Sequence, residues 1–138
     1  MRSPRNKSLW IAGGVAGALL LFVIGFQAES AYEATELRHK VEAMTLGNVA
    51  RGQQAFGKYS CGGCHTMLGV PGANGTVGPP LDGIAARGIV GGRLANSPDN
   101  MRRWIEHPQA VSPGTAMPEQ GVTPQDSRDI AAFLYTRT

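Results

Sequence analysis

Charge is scarce in this 138-residue chain, and one long stretch has none. Charged residues make up 17% of the sequence, against roughly 25% in an average soluble protein. Residues 9–28 contain no charged side chain. The part that follows is too short for a large enzyme with a separate substrate domain. Extensive disorder is also excluded, because 42% hydrophobic content can support a core.

Clustered basic residues are also lacking in the part of the chain that follows the apolar stretch. The net charge is +3, and Arg2, Arg5 and Lys7 account for it, since the other basic residues balance the acidic ones. Nucleic-acid binding requires a basic patch on the folded domain. Only the pair Arg102 and Arg103 comes close, and an ordinary solvated helix face explains that pair. We therefore expect no nucleic-acid partner.

The uncharged residues 9–28 predict a transmembrane helix. Twenty helical residues span about 30 Å, the thickness of the hydrocarbon layer. Basic residues precede the run, whereas Glu29 and Glu33 follow it, so the positive-inside rule places residues 1–8 in the cytoplasm as a short tail. A cleaved signal peptide ending near Ala28 is the alternative. The length of the run favours a retained anchor, because signal sequences have shorter apolar regions.

Residues 29–46 are predicted to form a helical linker. Leu37, Val41 and Met44 recur at helical spacing. The linker either lifts the next domain off the bilayer, docks on another subunit or remains an exposed connector, and the pattern does not separate these alternatives. The remaining residues, 47–138, form one candidate domain.

Residues 47–138 carry helix signals but no strand pattern. Ser97-Pro98 and Thr123-Pro124 are typical helix starts, and each precedes an apolar stripe at helical spacing. A further short helix is predicted to end near Gly57. Eight glycines lie between positions 69 and 92. Short helices with such a long loop bury too little surface for a domain of this size, so we expect a bound group to fill the centre of an all-α fold.

That group is indicated by the only two cysteines, Cys61 and Cys64, which are followed immediately by His65. This spacing is the attachment signature of c-type haem. The thiols add to the two vinyl groups of one porphyrin, and His65 becomes an axial ligand of the iron. A zinc site would need further paired ligands, and a thioredoxin-like motif would need a βαβ context. A simple disulfide would explain neither the histidine nor the missing core.

A second axial ligand is sought among the methionines. Met117 lies in a loop between two predicted helices and is flanked by Pro113 and Pro118. Its soft thioether favours reduced iron and raises the reduction potential. Met101 lies on the apolar face of a helix, where core packing is expected. His107 is the second candidate, although the solvated end of a helix explains it as well.

These residues give the domain a resemblance to the class I cytochromes c, especially to the haem domain fused to some bacterial oxidase second subunits. Gly52 and Phe56 match the first helix of the family, and Phe133 matches the last helix, which the first one crosses. The segment 78–81 matches the Gly-Pro-x-Leu segment of the family, and the segments Leu94-Ala-Asn96, Trp104-Ile105 and Pro108-Gln109 also match its pattern. The resemblance implies the class I cytochrome c fold, with short helices and long loops around one haem.

The resemblance also implies roles for three further residues. The Pro79 carbonyl would accept a hydrogen bond from the Nδ1–H of His65. Arg87 and Trp104 are candidate partners of the haem propionates, although surface and core roles explain them equally well. Oxidase second subunits also carry a copper-binding β-sandwich and two membrane helices. This chain shows neither, so we expect the haem module alone on a single anchor.

The predicted function is one-electron transfer without catalysis, because an iron with both axial positions filled has no vacancy for a substrate. We expect a membrane-anchored carrier of a respiratory or photosynthetic chain that passes electrons from a quinol-oxidising complex or dehydrogenase to a terminal oxidase or reductase. The haem domain would lie on the periplasmic side of a bacterial inner membrane. One alternative is a permanent subunit of a respiratory complex, such as a terminal oxidase or nitric oxide reductase. Another is a haem sensor or peroxidase-like enzyme with an open axial position.

Overall fold

The computed structural model describes residues 4–138, with side chains from residue 14 onward. Residues 1–3 of the predicted cytoplasmic tail lie outside the described residues, and the side chains of the rest of the tail are not described. The chain divides into two compact units, the first ending at Glu36 and the second comprising Leu37–Thr138. As predicted, the secondary structure is mostly helical.

The first helix, α1, comprises Pro4–Thr45. Its described part from Gly14 onward is long and apolar enough to cross a membrane. Large side chains such as Leu20, Leu21 and Phe22 are more than 60% exposed, so they do not form a core inside the protein. A helix of this length and composition fits a membrane anchor.

The last turns of α1 belong to the second unit, which begins ten residues before the predicted boundary at residue 47. Val41 and Thr45 are buried, with 3% and 4% exposure. Oε1 of Glu42 accepts hydrogen bonds from the backbone N–H of Val49 and from Nδ2 of Asn48, at 2.9 and 3.0 Å. These contacts join the end of α1 to the start of the next helix, so this part of the predicted linker is packed against the domain.

Four more helices follow, and the residues before three of them cap their first turns. They are α2 (Val49–Lys58), α3 (Pro98–Glu106), α4 (Pro108–Val111) and α5 (Pro124–Tyr135). The side chains of Asn48, Ser97 and Thr123 accept hydrogen bonds from the free N–H groups of α2, α3 and α5. The helix starts predicted from Ser97-Pro98 and Thr123-Pro124 are therefore present.

The core of the second unit is formed where α2 crosses α5. Gly52 lies so close to α5 that an added Cβ would overlap the backbone carbonyl of Asp129. Phe56 and Phe133 pack edge to face, with ring centroids 5.7 Å apart. This is the helix crossing that the resemblance to class I cytochromes implied. It leaves the long loops between α2 and α3 and between α4 and α5 to surround the remaining space.

The glycine-rich loop contains a small antiparallel ladder that the sequence pattern did not indicate. Its strands are β1 (Ile89–Val90) and β2 (Leu94–Ala95), with Val90 opposite Leu94. Gly91 and Gly92 make the turn with φ of 60° and 69°, which L side chains rarely adopt. Strands of two residues are too short to show the alternation from which strands are predicted.

Candidate functional site

A cavity of about 420 Å³ lies within the second unit. Its volume is in the range of small-molecule and cofactor sites, and most of its lining side chains are apolar. All seven residues that the sequence predicted for the site line this cavity: Cys61, Cys64, His65, Pro79, Arg87, Trp104 and Met117. Trp104 belongs to α3, and the others come from the loop between α2 and α3 and from the loop between α4 and α5, so tertiary folding brings them together.

The two cysteines lie directly after α2, in a short 3-10 turn. Ser60 has a left-handed backbone, with φ of 53°, and redirects the chain at the end of the helix. The backbone N–H of His65 then donates to the carbonyl of Cys61 at 3.0 Å. Burial raises the pKa of the Cys61 thiol to about 11, so this thiol is protonated at neutral pH.

The imidazole of His65 is oriented by the loop that follows. Its Nδ1 lies 2.7 Å from the backbone carbonyl oxygen of Pro79. A carbonyl oxygen can only accept, so Nδ1 carries the proton and Nε2 keeps a lone pair that can bind a metal. Gly78 packs so closely against the ring that a Cβ at this position would overlap the imidazole. The loop thus sets both the tautomer and the plane of the ring.

Arg87 and Trp104 also line the cavity and have contacts of their own. Nη2 of Arg87 donates to the backbone carbonyls of Pro80 and Asp82, so the guanidinium ties down the loop that follows Pro79. The indole of Trp104 packs on the backbone of the β1–β2 turn, at Gly91. The predicted roles of Arg87 and Trp104 towards propionates remain predictions.

The loop that carries Met117 is held by Gln109 of α4. Nε2 of Gln109 donates to the carbonyls of Thr115 and Met117, both at 2.8 Å. Its Oε1 accepts from the backbone N–H of Gly114 at 3.2 Å. The second candidate ligand, His107, is not among the cavity-lining residues. Its imidazole is 63% exposed and lies near the carboxylates of Glu106 and Glu119.

Two residues with a part in this site received no role from the sequence, namely Gln109 and Asn96. Nδ2 of Asn96 donates to the carbonyls of Ile84 and Arg87, each at 2.8 Å. Both residues lie in segments, Leu94-Ala-Asn96 and Pro108-Gln109, that take part in the resemblance described above. The sequence therefore indicated that these segments matter, but it did not predict which carbonyls the two side chains bind.

Comparison with known proteins assigns this domain to a family. The family described as Cytochrome c matches residues 49–138. The chain belongs to the cytochrome c family. Its cytochrome c domain comprises α2 to α5, so the cavity and all seven predicted residues lie inside the matched region.

The cytochrome c domain is similar to three named relatives. The chain is 36% identical to a cytochrome c2 of Rhodopila globiformis, over 65% of this chain and 98% of that protein. It is 31% identical to a cytochrome c2 of Rhodomicrobium vannielii, over 69% of this chain and 83% of that protein.

The third relative is much longer than this chain. Identity is 34% to a cytochrome c oxidase subunit 2 of Alkalihalophilus pseudofirmus, over 65% of this chain and 25% of that protein. The chain therefore matches only a quarter of the subunit's length. No solved structure gives a significant match.

Membership in the cytochrome c family implies haem c as the cofactor, and the residues present fit it. The cavity offers two thiols at one edge, an imidazole with a free Nε2 and a thioether on another loop. Cysteine, histidine and methionine are the side chains that attach and ligate haem c. Apolar walls suit the porphyrin face, and the guanidinium of Arg87 suits an anionic edge.

Proposed function

We propose that the chain is a membrane-tethered one-electron carrier, with haem c attached through Cys61 and Cys64 and ligated by His65 and Met117. One observation carries this proposal. A single apolar cavity is lined by both thiols, by the oriented imidazole and by the thioether. This donor set is that of a carrier, because it leaves no iron position for a substrate.

The side chains around the cavity have distinct parts in electron transfer. Haem c, when bound, supplies the ferric/ferrous couple. The Pro79 carbonyl keeps the His65 imidazole in one tautomer and makes it a stronger donor. Gln109 holds the loop of Met117, so that the thioether stays in place in both oxidation states. The apolar walls exclude water, which limits reorganisation and favours the less charged reduced state.

The proposed location follows from α1 and the charges around it. Residues 9–28 cross a bacterial inner membrane, residues 1–8 stay in the cytoplasm, and the domain at 47–138 lies on the periplasmic side. The anchor confines the carrier to the membrane surface and so raises its effective concentration near membrane-bound partners. A quinol-oxidising complex or dehydrogenase donates the electron, and a terminal oxidase or reductase accepts it.

A second candidate function is a permanent haem subunit of a respiratory complex. It is favoured by the similarity to a cytochrome c oxidase subunit 2 and by the exposed apolar surface of α1. Purification from native membranes in mild detergent separates the two functions. A carrier elutes alone, whereas a subunit co-elutes with stoichiometric partner chains, which mass spectrometry then identifies.

The haem assignment is tested on the full chain expressed with a cytochrome c maturation system. We expect the intact mass to rise by one haem and the reduced protein to show sharp visible bands. Replacing both cysteines by alanine abolishes the added mass. An unmodified wild-type chain contradicts the proposal.

The axial ligand is tested with Met117→Leu and with Met101→Leu, because both methionines line the cavity. We expect Met117→Leu alone to lose the methionine–iron charge-transfer band of the ferric protein. Loss of the band only in Met101→Leu assigns the ligand to α3 instead. A wild-type protein that lacks the band and readily binds cyanide or CO contradicts a carrier and favours a sensor or peroxidase-like enzyme.

A further inference from the structure

The end of α5 contacts the loop that carries Arg87 at two points. The hydroxyl of Tyr135 donates to Oδ1 of Asn96 at 2.8 Å. The backbone N–H of Ala85 donates to the carbonyl of Arg137 at 3.1 Å. Tyr135 is buried, with 7% exposure. These contacts connect the last helix of the domain to residues 84–96, which border the cavity.

The side chain of Asn96 is the centre of this connection. Its Nδ2 donates to the carbonyls of Ile84 and Arg87, and its Oδ1 accepts from Tyr135. Burial raises the pKa of the Tyr135 phenol, so the hydroxyl stays protonated and remains a donor at neutral pH. A donor at Oδ1 fixes the orientation of the amide, and the amide then holds the backbone at Ile84 and at Arg87.

The same loop determines where the positive charge of Arg87 lies. Arg87 lines the cavity, and the Nη2 of its guanidinium is bound to the carbonyls of Pro80 and Asp82. The backbone carbonyl of Arg87 is held by Asn96. Both ends of this residue are therefore restrained. A restrained positive charge beside a redox group favours the reduced state more than a mobile, solvated one, because solvent screens it less.

We propose that Tyr135 and Asn96 are positioning residues, which hold Arg87 at the cavity and thereby raise the reduction potential of the group bound there. The inference rests on the proposed function, because the potential is that of haem c. It adds a residue pair outside the cavity lining to those that tune the site. Neither residue lines the cavity itself.

The test compares the reduction potentials of the haem-loaded full chain in detergent. Tyr135→Phe keeps the ring and removes only the hydroxyl. We expect a lower potential with wild-type visible bands, and a larger decrease in Arg87→Gln. If Tyr135 acts through Arg87, the double variant has the potential of Arg87→Gln alone. We also expect faster hydrogen exchange at the backbone N–H of Asn96, which donates to Gly88.

Thr123→Ala is the matched control, because it removes a hydrogen bond at the other end of the same helix. It should weaken α5 without changing the potential. A wild-type potential in loaded Tyr135→Phe overturns the inference. The inference is also overturned if Tyr135→Phe lowers the reduction potential equally in the wild type and in Arg87→Gln. The same holds if Thr123→Ala lowers the potential as much as Tyr135→Phe does. Failure of the proposed function is distinguishable, since the wild-type chain then carries no haem.

Discussion

Replacing Gln109 by alanine is expected to loosen the loop that carries Met117. The substitution removes three hydrogen bonds, to the carbonyls of Thr115 and Met117 and from the N–H of Gly114. Each such bond contributes a net stabilisation of about 0.5–1.5 kcal/mol. At the central value of about 1 kcal/mol for each bond, opening of the loop should become easier by about 3 kcal/mol, which corresponds to a roughly 140-fold larger open population.

Added imidazole measures that population, because in the proposed haem site it can bind the ferric iron only where Met117 has moved away. While the open form stays a minor species, the apparent affinity for imidazole rises in proportion to its population. We expect a roughly 140-fold tighter apparent Kd in Gln109→Ala by spectral titration. Gln53→Ala, which truncates an exposed glutamine on α2, should match the wild type. Wild-type imidazole affinity in Gln109→Ala refutes the role given to this side chain.

Three further predictions concern packing and pH. Gly52→Ala should lower the free energy of unfolding by about 2–3 kcal/mol in urea titrations, because the added Cβ overlaps α5. Gly57→Ala, with open space around its Cβ, should be neutral or up to about 1 kcal/mol stabilising. Gly78→Ala should displace the His65 ring and change the ferric spectrum while the haem stays attached, whereas Gly57→Ala leaves the spectrum unchanged. Stability should fall as the pH drops below about 4, and Asp129→Asn should flatten that decrease in urea titrations across pH 3–7.

The sign of the acid effect follows from the surroundings of Asp129, whose side chain is 1% exposed. Burial alone raises the pKa of this carboxyl. Hydrogen bonds from Arg51, from the N–H of Asn48 and from Gln125 outweigh burial and hold the pKa below its usual value. The native state therefore binds fewer protons than the unfolded state near pH 4. Stability is present above the unfolded pKa and is lost as the pH falls through the native one.

Much of the fold was predictable because its signals are local. A capping residue followed by proline marks the start of α3 and of α5, and each signal is contained in four consecutive residues. The uncharged stretch of α1 was equally plain. The small strands were not predictable, because two residues show no alternation. The packing of Val41 into the second unit was not predictable either, because an apolar stripe does not say which surface covers it.

The sequence by itself determined the chemistry of the site, since Cys61, Cys64 and His65 are nearly adjacent and their spacing is sufficient to name the cofactor class. Tertiary structure alone decided how the remaining groups surround the cavity. The amide NH2 groups of Asn96 and Gln109 donate to backbone carbonyls. Every residue offers such a carbonyl, so no residue type marks these acceptors in the sequence. Only the packing of α5 and α4 against the loops selects which carbonyls these amides reach.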